Sequence, residues 1–323
     1  TPRENRERYI RIQVRLSLFF CVKIIYVQGG KKMRIFQISD IHLRGDGKLS
    51  FQKADTIAAM NHTIDYFLKL KDYELPDFFV VTGDLSEGGT REGYEIVREG
   101  LRKLPRPCFI VPGNHDKRDF YLEMFDSEVP VMDDIKPYIC YTIDDQPIRV
   151  IVIDTSIPGC HYGGLTDEVA VWLEKKIVEY PDRPALVFTH HPPFVTGLPA
   201  MDEGFSQADR LASILNLHKN VRLCCGHMHT GIFTQWHGIP CVTCPPISMQ
   251  MEVDFRKKTD PCVTPEEQAE NFKGGGDRFF LGNPAYLIHD LQGEQINTHY
   301  MIIPTGASYS GPWPFKYYEG EED

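Results

Sequence analysis

The sequence predicts an α/β protein, on three observations. From Met33 onward, short apolar runs alternate with longer amphipathic stretches. Clusters of Asp, Asn and His fall just after several of those runs. The chain has 323 residues, 42% of them hydrophobic, which suffices for one large core with a smaller appendage.

The elements can be taken in order. Residues 34–39 read as a strand. Residues 51–70 read as a helix, with Ile57, Ile64, Phe67 and Leu68 at helical spacing. Residues 77–82 are a buried strand and 90–103 a helix. Residues 108–111 are a strand bracketed by Pro107 and Pro112, and 149–154 another. Residues 166–179 read as a helix with Thr166 as its N-cap. Residues 185–189 and 221–225 are further buried strands. From about Ile247 the rhythm breaks. Residues 247–282 are irregular and polar and contain Gly274-Gly275-Gly276; strand-like runs follow at 285–289 and 295–303. The expected organisation is a catalytic domain over 33–246, a small C-terminal cap or oligomerisation segment over 247–303, and an acidic tail over 304–323.

Residues 1–32 differ from the rest. Arg3, Arg6, Arg8, Arg11 and Arg15 precede an apolar run from Leu16 to Val27. That run is shorter than the roughly 20 residues a bilayer span needs. A signal peptide is one reading, although Lys23 interrupts the apolar core and no small-x-small cleavage site follows. The favoured reading is a translated leader ahead of a start at Met33. Residues 28–33 can be encoded by a purine-rich stretch resembling a bacterial ribosome-binding site.

The net charge of −10 gives no help in binding a long polyanion, which argues against long nucleic acid as a partner. Small phosphate substrates remain open, because bound cations reverse a local field. The nine cysteines form no dense framework; Cys241 and Cys244 make a lone C-x-x-C, and Cys224 and Cys225 sit in an apolar run. Reduced, buried thiols and a cytoplasmic location are expected. No basic amphipathic helix follows Met33, so no membrane partner is expected.

Five clusters carry the chemistry: Asp40-x-His42, Gly83-Asp84, Gly113-Asn114-His115-Asp116, His190-His191, and Gly226-His227-Met228-His229. Each follows a strand, and open α/β sheets bind ligands beyond the carboxyl ends of their strands. Singly these are weak; an Asp and a His two apart is commonly a loop cap beside a surface imidazole. Together they define one site. In extended chain, residues two apart project to one side, so Asp40 with His42, and His227 with His229, can converge. The donors are imidazole nitrogen and carboxylate or amide oxygen without thiolate, which suits zinc, iron or manganese. Seven side chains fill two sites only if a carboxylate bridges, and Asp84 is the natural bridge.

The other histidines take plainer readings. His62 and His218 are expected on helix surfaces, His237 in a turn, and His191 in a structural role beside a ligand. His161 and Tyr162 lie in a glycine-rich loop (Gly159, Gly163, Gly164), which is a turn or a wall of the substrate pocket. Trp313 is expected to pack.

The ordered clusters resemble the calcineurin-like metallophosphoesterases, within them the class III cyclic-nucleotide phosphodiesterases, and most closely the bacterial glycerophosphodiesterase group. Leu165-Thr166-Asp167-Glu168 with Trp172-Leu173-Glu174, His190-His191-Pro192-Pro193, and Tyr309-x-Gly311-Pro312-Trp313 extend the likeness over nearly all of residues 33–316. The resemblance implies a four-layer αββα sandwich and homo-oligomerisation through the cap. It implies a first metal held by Asp40, His42, Asp84 and His229, and a second held by Asp84, Asn114, His190 and His227. The cofactors would be two divalent or trivalent ions of Fe, Mn or Zn. The expected reaction is hydrolysis of a small phosphodiester, a 3′,5′-cyclic nucleotide or a glycerophosphodiester. Two cations would acidify a bound water, hydroxide would attack in line, and His115 would protonate the leaving oxygen. In related protein phosphatases an acidic residue orients that histidine. Asp116 is a candidate, while Gly83-Asp84-Leu85-Ser86-Glu87 departs from the phosphatase pattern. A phosphomonoesterase, a nucleotide pyrophosphatase and a non-catalytic scaffold of the same fold are the alternatives.

Overall fold

The computed structural model describes residues 32–125, 128–132, 134–256, 278–306 and 310–314. The expected leader, apart from Lys32, the triglycine stretch, Tyr309 and the end of the tail lie outside the described residues.

The first half alternates β1 (Lys32–Ile38), α1 (Thr56–Leu68), β2 (Phe78–Thr82), α2 (Arg91–Leu101), β3 (Cys108–Val111) and α3 (Arg118–Phe125). Next come β4 (Tyr141–Ile143), β5 (Arg149–Val152), β6 (Gly163–Gly164), α4 (Asp167–Ile177), β7 (Ala185–Phe188), β8 (Phe205–Ser206), α5 (Ala208–Leu215) and β9 (Val221–Cys225). The chain then runs through β10 (Phe233–Trp236), β11 (Ile239–Thr243), β12 (Gln250–Met251), β13 (Arg278–Leu281), β14 (Ala285–Gln292), β15 (Gln295–Ile302) and β16 (Ser310–Pro314). The fold is mixed α/β, as its sequence predicts. Helices α3 and α5 and strands β4, β10 and β11 have no counterpart in the sequence reading.

Two sheets dominate. One has the order β15-β14-β1-β2-β3, the other β10-β11-β9-β7-β5-β4. β1, β2 and β3 run parallel, as do β5, β7, β9 and β11. Period-two alternation explains how the second sheet is filled. Val150, Val152, Leu186, Phe188 and Cys224 join the apolar cluster of the first sheet. Their neighbours Ile151, Ile153, Ala185, Val187 and Leu223 pack with α4 and α5. On β1, Phe36 meets Phe67 of α1, Phe79 and Tyr286. The next residue, Gln37, reaches across to the Cys225 carbonyl of the second sheet at 2.9 Å.

Local chemistry sets the helix starts. Thr166 caps α4 by accepting from the Val169 N–H, with Asp167 and Glu168 in the first turn and Lys175 and Lys176 in the last. Helix α1 starts later than its apolar spacing suggests. Phe51 and Gln52 are left-handed, at φ 49° and 60°, and Asp55 is the N-cap, accepting from the Ala58 N–H.

The expected segment over 247–303 is corrected in one respect. β14 pairs antiparallel with β1, and β15 with β14, so residues 285–302 belong to the first main sheet. β12, β13 and β16 form a separate small sheet. Trp313 packs there against a cluster of Phe51, Ala54, Met249 and Phe279. His218 is corrected too: it lies beyond the end of α5, buried, with its Nε2 on the Tyr180 carbonyl at 3.2 Å. His62 is half-buried on α1, and His237 follows β10 in a turn.

Candidate metal centre

The ends of β1, β2, β3, β7 and β9 deliver the sequence-predicted side chains to one place. Asp40, His42, Asp84, His190, His227 and His229 are all buried, and Asn114 and His115 half-buried. The convergence of the i, i+2 pairs has a different cause from the extended backbone expected. Asp40, His42, Asp84, His227 and His229 have φ of 54°, 48°, 52°, 69° and 47°. Left-handed backbone costs a side-chain-bearing residue about 1–2 kcal/mol. Surrounding bonds hold it: His42 N–H donates to the Asp84 carbonyl at 2.8 Å, and His227 N–H to Asp40 Oδ1 at 3.1 Å. Two glycines are required by close approach. A Cβ on Gly83 would collide with His190 Nδ1, and one on Gly113 with Asp84 Oδ1.

The donor atoms form overlapping groups. Those of Asp40, His42, Asp84 and His229 lie within 4.8 Å of one another. His42 Nε2 is 2.9 Å from His229 Nε2 and 3.3 Å from Asp84 Oδ2. On the other side, His190 Nε2 is 3.2 Å from the same Asp84 oxygen and 3.1 Å from Asn114 Oδ1, which is 3.1 Å from His227 Nδ1. One oxygen of Asp84 therefore faces both groups. His190, His191 and His227 make a further close set.

The donor chemistry fits cations. Carbonyl oxygens only accept, so His190 Nδ1 carries the hydrogen it gives Thr82 (2.7 Å), and His229 Nδ1 the one it gives Met249 (2.8 Å). Their Nε2 atoms are thereby aimed at the cluster, as outer hydrogen bonds orient ligating imidazoles. Asp40 Oδ2 is buried without a hydrogen-bond partner, an anionic oxygen lacking compensation. Burial pushes Asp40 up to about 6. Burial and the His42 charge push His229 down to about 3, and burial with neighbouring imidazoles holds His227 well below its usual range. Burial opposes charge on His42, but Asp84 and Glu87 outweigh it and hold the ring protonated. His229 Nδ1 donates to Met249, so its Nε2 accepts, and the hydrogen of the 2.9 Å contact belongs to His42 Nε2.

His115 stands beside this cluster, its ring 4.7 Å from that of His42 and its backbone N–H on Asp84 Oδ1 at 3.1 Å. Its side-chain partner is Glu87, not identified by the sequence reading. Glu87 Oε1 is 3.4 Å from His115 Nδ1, and Oε2 is 2.8 Å from His42 Nδ1. Burial opposes the His115 charge, but Glu87 and Asp84 raise it to about 9. Asp116 is corrected as the orienting residue. Its carboxylate accepts from Gly113 N–H (2.8 Å), Leu85 N–H (3.1 Å) and Tyr94 O–H (3.0 Å), so it braces the loop instead. Adjacent side chains diverge, whereas Glu87, three residues past Asp84, folds back. That acidic residue at the turn was the available signal.

His191 is buried with Nδ1 on Thr155 Oγ1 at 2.9 Å; burial and the His190 charge keep it neutral. His161 Nδ1 is 3.2 Å from Glu203 Oε2, and its ring is 4.8 Å from His227 and 6.5 Å from His115. Beside it opens a cleft of about 180 Å³, lined in part by Tyr162, Phe194, Glu203 and His227.

The chain is similar to known proteins. The profile of the calcineurin-like phosphoesterases matches residues 33–231. A probable glycerophosphodiester phosphodiesterase, GpdQ, of Arcobacter nitrofigilis is 34% identical over 293 residues, covering 90% of this chain and 99% of that protein. GpdQ of Enterobacter lignolyticus is 30% identical, covering 87% and 94%. The 3′,5′-cyclic adenosine monophosphate phosphodiesterase CpdA of Escherichia coli is 28% identical, covering 73% and 84%. Among solved structures, GAP50, the anchor in the inner membrane complex of Plasmodium, superposes with a TM-score of 0.56 at 14% identity, covering 90% of each chain. That likeness concerns the fold alone.

Proposed function

The chain belongs to the calcineurin-like phosphoesterase family, and on that premise we propose that it is a metal-dependent hydrolase of small phosphodiesters, glycerophosphodiesters or 3′,5′-cyclic nucleotides. The observation that carries this reading is the pair of buried donor groups meeting at Asp84 Oδ2, with His115 beside them. The likeness to GpdQ over nearly the whole chain, and to CpdA over 73% of it, supports the diester class.

In this reading Asp40, His42, Asp84 and His229 hold one ion, and Asp84, Asn114, His190 and His227 a second, drawn from Fe, Mn or Zn. Two bound ions would supply Lewis acidity at the phosphoryl oxygens and a nucleophile at neutral pH. The chain's own residues do the rest. Glu87 takes the Nδ1 hydrogen of His115, which directs the other ring nitrogen outward. From that nitrogen His115 gives a proton to the departing alkoxide. Glu87 also fixes the tautomer of His42. His161, steadied by Glu203, would stand at the edge of the cleft that receives the leaving group.

The packing of helices against two facing sheets is consistent with αββα layering. Residues 33–246 with β14 and β15 would form the catalytic unit, leaving the cap to the part before β14. We take copies to associate through that cap, which sedimentation of a cap-shortened variant tests by loss of the oligomer. Free, buried Cys140, Cys224, Cys225, Cys241 and Cys244 favour a reducing, cytoplasmic setting. Among the described residues no helix is long and apolar enough to cross a membrane.

The deciding experiment is a panel of bis(p-nitrophenyl) phosphate, p-nitrophenyl phosphate, cyclic AMP and glycerophosphocholine. Diester cleavage that needs added metal is expected. Rapid monoester cleavage with negligible diester cleavage overturns the reading.

A further inference from the structure

Gln37 lies fully buried on β1, between the two sheets. Its carboxamide nitrogen donates to Thr82 Oγ1 at the end of β2 and to the Cys225 carbonyl at the end of β9, both at 2.9 Å. A carbonyl cannot donate, so this amide orientation is fixed. Each of these strands runs directly into a candidate ligand segment: Ser39-Asp40 after β1, Gly83-Asp84 after β2, and Gly226-His227 after β9. The same Thr82 supplies the carbonyl that holds His190 Nδ1 at 2.7 Å. One side chain thus touches three strand ends and reaches a fourth ligand through one residue.

Gln37 is itself held. Its Oε1 accepts from His289 Nε2 of β14 at 2.9 Å. That contact leaves His289 Nδ1 to accept from the Thr298 hydroxyl of β15 at 2.9 Å, and Thr298 in turn accepts from the Arg222 guanidinium of β9. The donors form a single directed series: Arg222, Thr298, His289, Gln37, Thr82. Burial and the Arg222 charge push His289 down to about 3, so the ring is neutral throughout. The series crosses an apolar interior; the Phe188 ring lies 5.9 Å from His289. Buried polar links of this kind add little net stability compared with apolar residues of the same shape. What they supply is a fixed relative position.

We propose that Gln37, set by His289, is a positioning residue for the metal centre: it fixes the first sheet against the second where their ligand loops depart. The inference rests on the two-ion reading above. It bears unequally on the two ions. The Asp40 group takes three ligands from the first sheet and only His229 from the second. It also has further ties, from Ser248 Oγ to the Asp40 carbonyl at 2.6 Å and from His227 N–H to Asp40 Oδ1 at 3.1 Å. The Asn114 group is divided evenly, Asp84 and Asn114 from the first sheet, His190 and His227 from the second. A small slip between sheets therefore misplaces the Asn114 group most.

The test compares the native chain with Gln37→Met/His289→Leu, titrating chelator-treated protein with Mn²⁺ by calorimetry and following urea unfolding of the metal-free form. The pair of substitutions removes both partners of the central bond, and the Cys225 carbonyl keeps the Cys244 N–H at 2.8 Å. The expected result is one binding step weakened about 10–100-fold, as for other outer-shell partners, with the other step and the metal-free unfolding midpoint nearly unchanged. Thr298→Val, at a half-buried and more tolerant position, loosens His289 from its far side and should weaken the same step by a smaller factor. Unchanged binding in both folded variants overturns the inference. So does an equal loss in both steps accompanied by a lower unfolding midpoint, which marks a general structural role. A native chain that binds fewer than two ions overturns the two-ion reading itself, and the inference with it.

Discussion

At the scale of single residues, Glu87 has the most consequential placement outside the predicted ligands. One oxygen holds His42 and the other faces His115. Glu87→Gln keeps the length and removes the charge. It should lower kcat about 10–100-fold with metal content retained, whereas His115→Asn should lower kcat about 10²–10⁴-fold. Metal analysis beside steady-state kinetics separates these from ligand loss. The same pair has a pH signature in the metal-free protein. His115 is raised from the ordinary 6.5 to about 9. A raised folded pKa contributes stability that is fully present below the unfolded value and is lost as pH rises through the folded one. Within the window from about 6.5 to about 9, metal-free native protein should lose part of its urea resistance as pH rises. Glu87→Gln should flatten that segment; an unaltered slope would show that the pair contributes nothing. The seven candidate ligands stand out in the sequence because each follows a strand. Glu87 was less so, because its role depends on how the turn after Asp84 folds back, a property of backbone path rather than residue type.

At the scale of elements, strands and capped helices follow from local rules, but the ligand-bearing turns do not. Alternation and the Thr166 cap locate β1, β2, β7, β9 and α4 closely. The left-handed conformations of Asp40, Asp84 and His229 are set by tertiary bonds and contradict local preference, so no pattern announces them. Gly83 and Gly47 allow a matched comparison. Both have positive φ, 90° and 73°. A Cβ at Gly47 meets nothing within 4 Å, whereas at Gly83 it strikes His190. Gly47→Ala should cost only the backbone term, about 1 kcal/mol, and leave metal binding intact. Gly83→Ala should show at least that cost and, in addition, lose metal affinity by tenfold or more. Denaturant unfolding and metal titration on both variants read the difference; equal metal affinities would mean the close approach to His190 does not matter.

At the scale of the molecule, the sequence revealed strands but not which sheet received them. The run at 285–289 reads as β, yet its pairing with β1 joins residues 34 and 290, a contact that period-two alternation cannot encode. For the same reason the sequence does not distinguish strands of a cap from β14 and β15, which complete the first sheet. The arrangement has a consequence for stability. On the two-ion reading each ion would draw ligands from both sheets, so bound metal would clamp them together, and binding to the native state alone adds RT ln(1 + [L]/Kd). At a hundred times Kd, each ion contributes about 2.7 kcal/mol, and two about 5 kcal/mol. With about 2–4 °C per kcal/mol for domains of 150–250 residues, chelation should lower Tm by about 10 °C or more. The fall should reverse on adding Mn²⁺ or Zn²⁺. Hydrogen exchange provides the spatial check. Chelation should increase exchange most at the ends of β7 and β9, where His190 and His227 cross to meet Asp84 and Asn114, and least in the outward-facing turns of α4. A chelated protein with unaltered Tm and unaltered exchange at those strand ends would mean that the two sheets are not held by metal.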